Sequence, residues 1–88
     1  MKIARTGDWL SAPVDQELLM MSVRQSVYLA LTEVGARIWE LLETESTLDG
    51  ICETLQREFD VTADICRAEV RLFLEQMAEQ GLVAIDAA

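Results

Sequence analysis

Histidine is absent from this 88-residue sequence, so the side chain that most often moves protons near neutral pH cannot serve as base, acid or metal ligand. The strongest nucleophiles by residue type are two thiols, Cys52 and Cys66, with thirteen residues between them and no histidine to complete a zinc set. Both fall on apolar positions of helical patterns, which reads as buried free cysteine, although spacing alone leaves a disulfide open. Any general base would have to be a strongly perturbed carboxylate, lysine or thiol, and no spacing supplies one. The chain carries no glycine-rich phosphate loop, no Gly-x-Ser-x-Gly elbow and no metal-ligand cluster. These features argue against an enzyme and call for no cofactor.

The remaining chemistry is that of recognition. Sixteen acidic residues against seven basic ones give a formal charge of −9, which repels the phosphates of nucleic acid and the head groups of anionic lipid. The same field attracts a peptide or protein carrying lysine and arginine. Lys2 and Arg5 near the start are followed by no apolar run of signal-peptide length, and no stretch approaches the roughly 20 apolar residues of a membrane span. With the buried-thiol reading, this points to the cytoplasm.

Recognition surfaces have to be positioned by elements, and the chain is punctuated as strands first, then helices. Trp9, Leu10 and Val14, with Pro13 between them, read as a short edge strand after a weak lead-in over residues 1–8. Glu17 to Ser22 and Val27 to Leu31 have strand length, and Val23-Arg24-Gln25-Ser26 connects them as a hairpin. Along the second run Val27, Leu29 and Leu31 share one face and Tyr28 and Ala30 the other. Neither face is polar, as in a strand that expects a neighbour or one covered on both sides.

Thr32 sits at the N-cap of a helix predicted from Glu33 to about Glu43, with Val34, Ile38, Leu41 and Leu42 at helical spacing. Behind Thr47, the residues Leu48, Ile51, Cys52, Leu55 and Phe59 repeat as one helical face. Thr62 opens a third helix that Gly81 closes, before Leu82, Val83 and Ile85. The order is that of an α+β arrangement, one domain over residues 1–88 with its core about 9–83.

In the third helix, Cys66, Val70, Phe73, Leu74 and Met77 form one stripe, while Ile65 and Leu72 lie more than about 100° from its centre, beside Glu69 and Gln76. Two readings stay open for that pair, a wider core or the wall of a groove. A groove beside a free strand edge would offer a peptide both unpaired backbone groups and apolar pockets. Carboxylates such as Glu69 would then meet basic side chains, or simply face solvent, where exposed pairs such as Arg71 with Glu75 contribute well under about 1 kcal/mol.

The run from Tyr28 to Leu42, YLALTEVGARIWELL, resembles the centre of the PqqD-like family, in which a strand runs into an Asn/Thr-capped helix containing Gly-Ala. The likeness continues through Thr47-Leu48, Ile51, Leu55, Phe59-Asp60-Val61, Glu69-Val70, Phe73-Leu74 and Gly81-Leu82-Val83, about residues 17 to 83. Each piece is a short apolar pattern, and the specificity lies in their order. The resemblance implies a three-stranded antiparallel sheet followed by a three-helix winged helix-turn-helix bundle. It further implies a non-catalytic chaperone that binds the leader of a ribosomally made precursor peptide by strand addition and presents it to a maturation protease or other modifying enzyme.

Carried over residue by residue, the backbone contacts fall on Val27, Tyr28, Leu29, Ala30 and Leu31, and the side-chain contacts on Ile65, Glu69, Leu72 and Phe73. The hairpin loop lacks the glycine frequent in the family, which leaves turn type and register open. Of the pathways such domains serve, among them pyrroloquinoline quinone formation and lasso-peptide maturation, the Tyr28 to Leu42 run looks most like the stand-alone lasso type. Helix order alone also permits a winged-helix DNA-binding regulator, which the charge opposes. A homodimer that pairs strands or helix flanks is a further alternative.

Overall fold

The computed structural model describes residues 1–44 and 47–86; positions 45, 46, 87 and 88, included in the expected span 1–88, lie outside the described residues. Among the described residues, five strands and three helices follow one another as β1 (Lys2–Arg5), β2 (Trp9–Val14), β3 (Glu17–Ser22), β4 (Val27–Leu31), α1 (Glu33–Leu41), α2 (Leu48–Glu58), α3 (Ala63–Glu79) and β5 (Val83–Asp86). The expected α+β order holds, with β2-β3-β4 as a three-stranded antiparallel sheet.

Alternation sets the faces of this sheet. Leu18, Met20 and Ser22 of β3 and Val27, Leu29 and Leu31 of β4 turn inward, and Met20 and Leu31 reach the core. The β3–β4 register runs from Leu18 opposite Leu31 to Ser22 opposite Val27, which resolves the register that the loop sequence left open. Ser26 takes the left-handed conformation where a glycine would be expected, at φ 55°. Asp8 stabilises the loop in place of glycine. Its carboxylate accepts from the buried Ser22 hydroxyl at 2.7 Å and from the Arg24 amide at 2.8 Å, and Ser22 Oγ accepts in turn from the Gln25 amide at 3.2 Å. These bonds hold the Asp8 carboxyl below the usual range, the Ser22 hydroxyl contributing most.

The helices begin at the three expected threonines, though by different means. Thr47 and Thr62 accept capping bonds from the amides of Gly50 and Ile65, whereas Thr32 is extended and its side chain makes no cap bond. α1 ends at Leu41, two residues short of the expected Glu43, and its last carbonyls are taken up by turn amides. α3 closes at Gly81, whose φ of 83° suits glycine, with the Leu82 amide returning to the Met77 carbonyl at 2.9 Å. Ile38, Ile51, Leu55, Leu74 and Leu82 are all but fully buried and form the centre on which the sheet rests. Among the described residues no helix is long and apolar enough to cross a membrane.

The lead-in over residues 1–8, expected to be weak, is ordered. β1 pairs antiparallel with β5, from Lys2 opposite Asp86 to Arg5 opposite Val83, making a second, two-stranded sheet. Ile3 is buried in the core, and the Arg5 guanidinium stacks 4.2 Å above the Trp39 ring while donating to the Trp39 carbonyl. Four residues with one inward apolar side chain carry too little periodicity to be read alone; β1 exists through a partner at the far end of the chain.

Candidate functional site

The three-stranded sheet has two edges, and they differ. β2 is blunted by Pro13, which has no amide proton to offer, and is tied down where the Trp9 indole donates to the Gly81 carbonyl at 3.0 Å. β4 contains no proline and no charged residue, and among the described residues only β3 pairs with it. Every second residue of Val27–Leu31 therefore directs its N–H and C=O away from β3 toward an unfilled edge. A strand of extended peptide is the natural complement of such an edge.

α3 runs alongside this edge. Between them lies a hollow of about 370 Å³, walled by Leu29 and Leu31 on the strand and by Phe73, Gln76 and Met77 of the helix with Gln80 at its C-cap. A second hollow, of about 300 Å³, continues past Phe73 toward Val34 of α1 and Glu69 of α3. Phe73 belongs to both, so its ring divides one elongated groove. Gly35 fixes where that ring sits, because a Cβ there would lie 3.1 Å from two atoms of the Phe73 ring. The Gly-Ala step in α1 thus sets the width of the groove at its waist.

The sequence-predicted side chains separate into two groups. Phe73 and Glu69 line the groove. Ile65 and Leu72 line neither hollow and are 53% and 57% exposed, which removes the wider-core reading and leaves them as an apolar outer shoulder of α3. Gln80 was not anticipated as part of the wall. Its signal was available, since it lies four residues after Gln76 and seven after Phe73 on the same flank.

Charge is divided across α3. Arg67 pairs with Asp49 and Arg71 with Glu75 on the side away from the groove. Glu69 and Glu79, which border the groove, have no ion-pair partner among the described residues. A basic side chain entering the groove would find carboxylates not already neutralised.

The two thiols are free and buried, as expected, with Cys66 Sγ directed at the Cys52 carbonyl at 3.9 Å. Burial, reinforced by the neighbouring Cys66, pushes the Cys52 thiol up to about 11. A protonated buried thiol is a packing group rather than a nucleophile. The site is therefore a strand edge, a two-part apolar groove and two carboxylates without an ion-pair partner among the described residues, an arrangement whose shape and chemistry suit an extended peptide.

Residues 17–83 match the family described as coenzyme PQQ synthesis protein D, PqqD. Among solved structures, a chain described as "TbiB1 in Complex with the TbiA(beta) Leader Peptide" is 27% identical, with TM-score 0.86 over 97% of this chain and 99% of that one. A second, "Lasso peptide synthetase B1 complexed with the leader peptide", is 16% identical with TM-score 0.83, covering 97% and 100%. At that lower identity the likeness is one of fold. A search of the curated proteins finds no match.

Proposed function

The chain belongs to the PqqD family, and from that premise we propose that it is a non-catalytic peptide chaperone of lasso-peptide type. It binds the leader of a ribosomally made precursor by strand addition and presents the precursor to a leader peptidase or other modifying enzyme. The observation that carries the reading is the unpaired β4 edge running beside the Phe73 groove. The relative named for its complex with a leader peptide matches end to end at 27% identity, which supports leader binding by this chain.

The leader strand pairs with Val27 to Leu31 through backbone bonds, which are indifferent to its sequence. Its inward side chains enter the groove against Leu29, Leu31 and Phe73, and its flank passes Leu72 and Ile65. Glu69 receives a lysine or arginine of the leader. Specificity thus comes from alternate side chains and one charge, and affinity largely from the ladder. The chain supplies no reacting group, needs no cofactor and acts in the cytoplasm, where the precursor is made; residues 1–88 serve as one recognition domain.

Titrating the synthetic leader of the cognate precursor into 15N-labelled protein tests this. The amides of Val27 to Leu31 and of α3 around Phe73 are expected to shift together and saturate. No shift at saturating leader would overturn the proposal. Duplex DNA in the same titration addresses the winged-helix alternative: tight, salt-sensitive binding would favour it, against a chain of charge −9.

A further inference from the structure

Each half of the groove is bordered by one carboxylate. Glu69 is the single charged residue among those lining the hollow beyond Phe73, whose walls include Val34, Phe59 and Val70. Glu79 is the single charged residue among those lining the hollow beside Leu29 and Leu31. Both are exposed, and neither has an ion-pair partner among the described residues. The arginines of α1 and α3 pair elsewhere: Arg37 with Glu58 and Glu40, Arg67 with Asp49, and Arg71 with Glu75.

The two carboxylates stand on one flank. Glu69, Leu72, Gln76 and Glu79 recur at intervals of three and four residues along α3, so Leu72 lies between the acids on the same side. Ten residues separate Glu69 from Glu79 in number, which is about 15 Å along a helix axis at ~1.5 Å per residue. The groove follows that axis. Leu29 and Leu31 face the half of α3 from Phe73 to Glu79, and Val34, further along the chain, faces the half from Cys66 to Phe73. β4 and α3 therefore run side by side in opposite directions, and a strand paired to β4 also lies along α3.

We infer that the leader carries two lysines or arginines four positions apart with an apolar residue midway, and that Glu69 and Glu79 together select this spacing; the inference rests on strand addition at β4. Side chains on one face of a strand recur every ~6.6 Å, so two steps span about 13 Å and three about 20 Å. Two steps match the carboxylates, and the flexible stems of the basic side chains cover the remainder. An odd separation would turn one cation to the opposite face. The midway residue meets Leu72 and Phe73. An apolar anchor in each hollow would displace water from the carboxylate without supplying a counter-charge. A lysine or arginine instead lays its methylenes on the apolar wall and holds its charge at the rim.

The test pairs changes in the protein with changes in the leader. The probes are the fluorescent synthetic leader of the cognate precursor and versions of it with one basic residue replaced by glutamate or moved by one position. Glu69→Gln and Glu79→Gln are each expected to weaken leader binding about three- to fivefold at low salt, and together about tenfold or more, with the losses shrinking at about 0.5 M salt. Moving one leader cation by one position should cost about as much as losing its carboxylate. Glu79→Lys alone should weaken binding more than about tenfold, and the leader with the matching cation changed to glutamate should restore it to within about threefold of wild type. Both acids are exposed, and thermal melts confirm that the variants are folded. Folded Gln variants that bind leader within about twofold of wild type, a charge exchange without rescue, or a tightly bound leader lacking the basic pair overturns the spacing rule. Failure of the wild type to bind its leader overturns the peptide reading itself, so the two failures are distinguishable.

Discussion

Leu72→Glu and Val70→Glu, two residues apart on α3, should behave oppositely. Val70 is 3% exposed in the core, and an unpaired buried carboxylate costs about 3–5 kcal/mol. A domain of 88 residues has a total stability of about 4–13 kcal/mol. Val70→Glu is therefore expected to lower Tm by roughly 15 °C or more, or to abolish the cooperative melt. Leu72 is 57% exposed, so a charge there remains in water and stability should change by no more than about 0.5 kcal/mol. In the complex, covering the remaining half of a leucine is worth about 1–1.5 kcal/mol, so Leu72→Ala should weaken leader binding about five- to tenfold and Leu72→Glu more. Circular-dichroism melts and leader anisotropy read the two effects separately. If Leu72→Glu melts with Val70→Glu, the shoulder belongs to the core; if it stays folded and binds leader like wild type, the peptide does not cross α3 there.

Gly35→Ala gains the helix propensity of alanine, about 0.8–1 kcal/mol, but presses the new methyl on the Phe73 ring; Tm should hold while leader affinity falls severalfold, and unchanged affinity would separate Phe73 from the groove's width. Glu69→Gln should weaken binding of a leader that carries a basic residue and flatten its salt dependence, as measured by anisotropy between low and physiological salt. The Arg37 guanidinium holds the Glu58 carboxyl below its usual range, and Ser22 and Arg24 do the same for Asp8. Groups with depressed folded values contribute fully above their unfolded values and lose that contribution as pH falls through the folded ones, so Tm should be level from neutrality to about pH 5 and drop below it, less steeply in Arg37→Gln. Cys52, pushed up to about 11, should resist iodoacetamide at pH 8 in the folded protein and react on unfolding.

The strands and helices that position the site were legible because each has a strong local cause. Apolar runs of strand length over Glu17–Ser22 and Val27–Leu31 with a polar connection between them, and threonines ahead of apolar repeats, set element bounds to within a residue or two. β1 was not legible, because Ile3 alone cannot announce a strand whose partner is β5. Nor was the hairpin's stabilisation, since Asp8 acts on Ser22 and Arg24 from the far side of β2. For the site, sequence placed the edge and the flank of α3 but not their division into hollows. That division depends on how closely α3 approaches α1, which Gly35 governs through tertiary contact rather than through any periodic signal.

The unpaired edge is also a hazard that the fold has to manage. An exposed apolar strand invites edge-to-edge association, and chains commonly blunt it with lysine, proline or a bulge. β2 carries such a device in Pro13, while β4 carries none. Protection of β4 comes instead from its surroundings: α3 stands beside the edge, so a second folded sheet cannot approach as an extended peptide can, and the charge of −9 keeps other copies apart. The same two features select for the ligand. A lone extended segment fits between β4 and α3, and one with basic side chains is drawn toward Glu69 and Glu79. Under the proposed function, discrimination against self and recognition of the leader are two consequences of placing one acidic helix next to one bare strand.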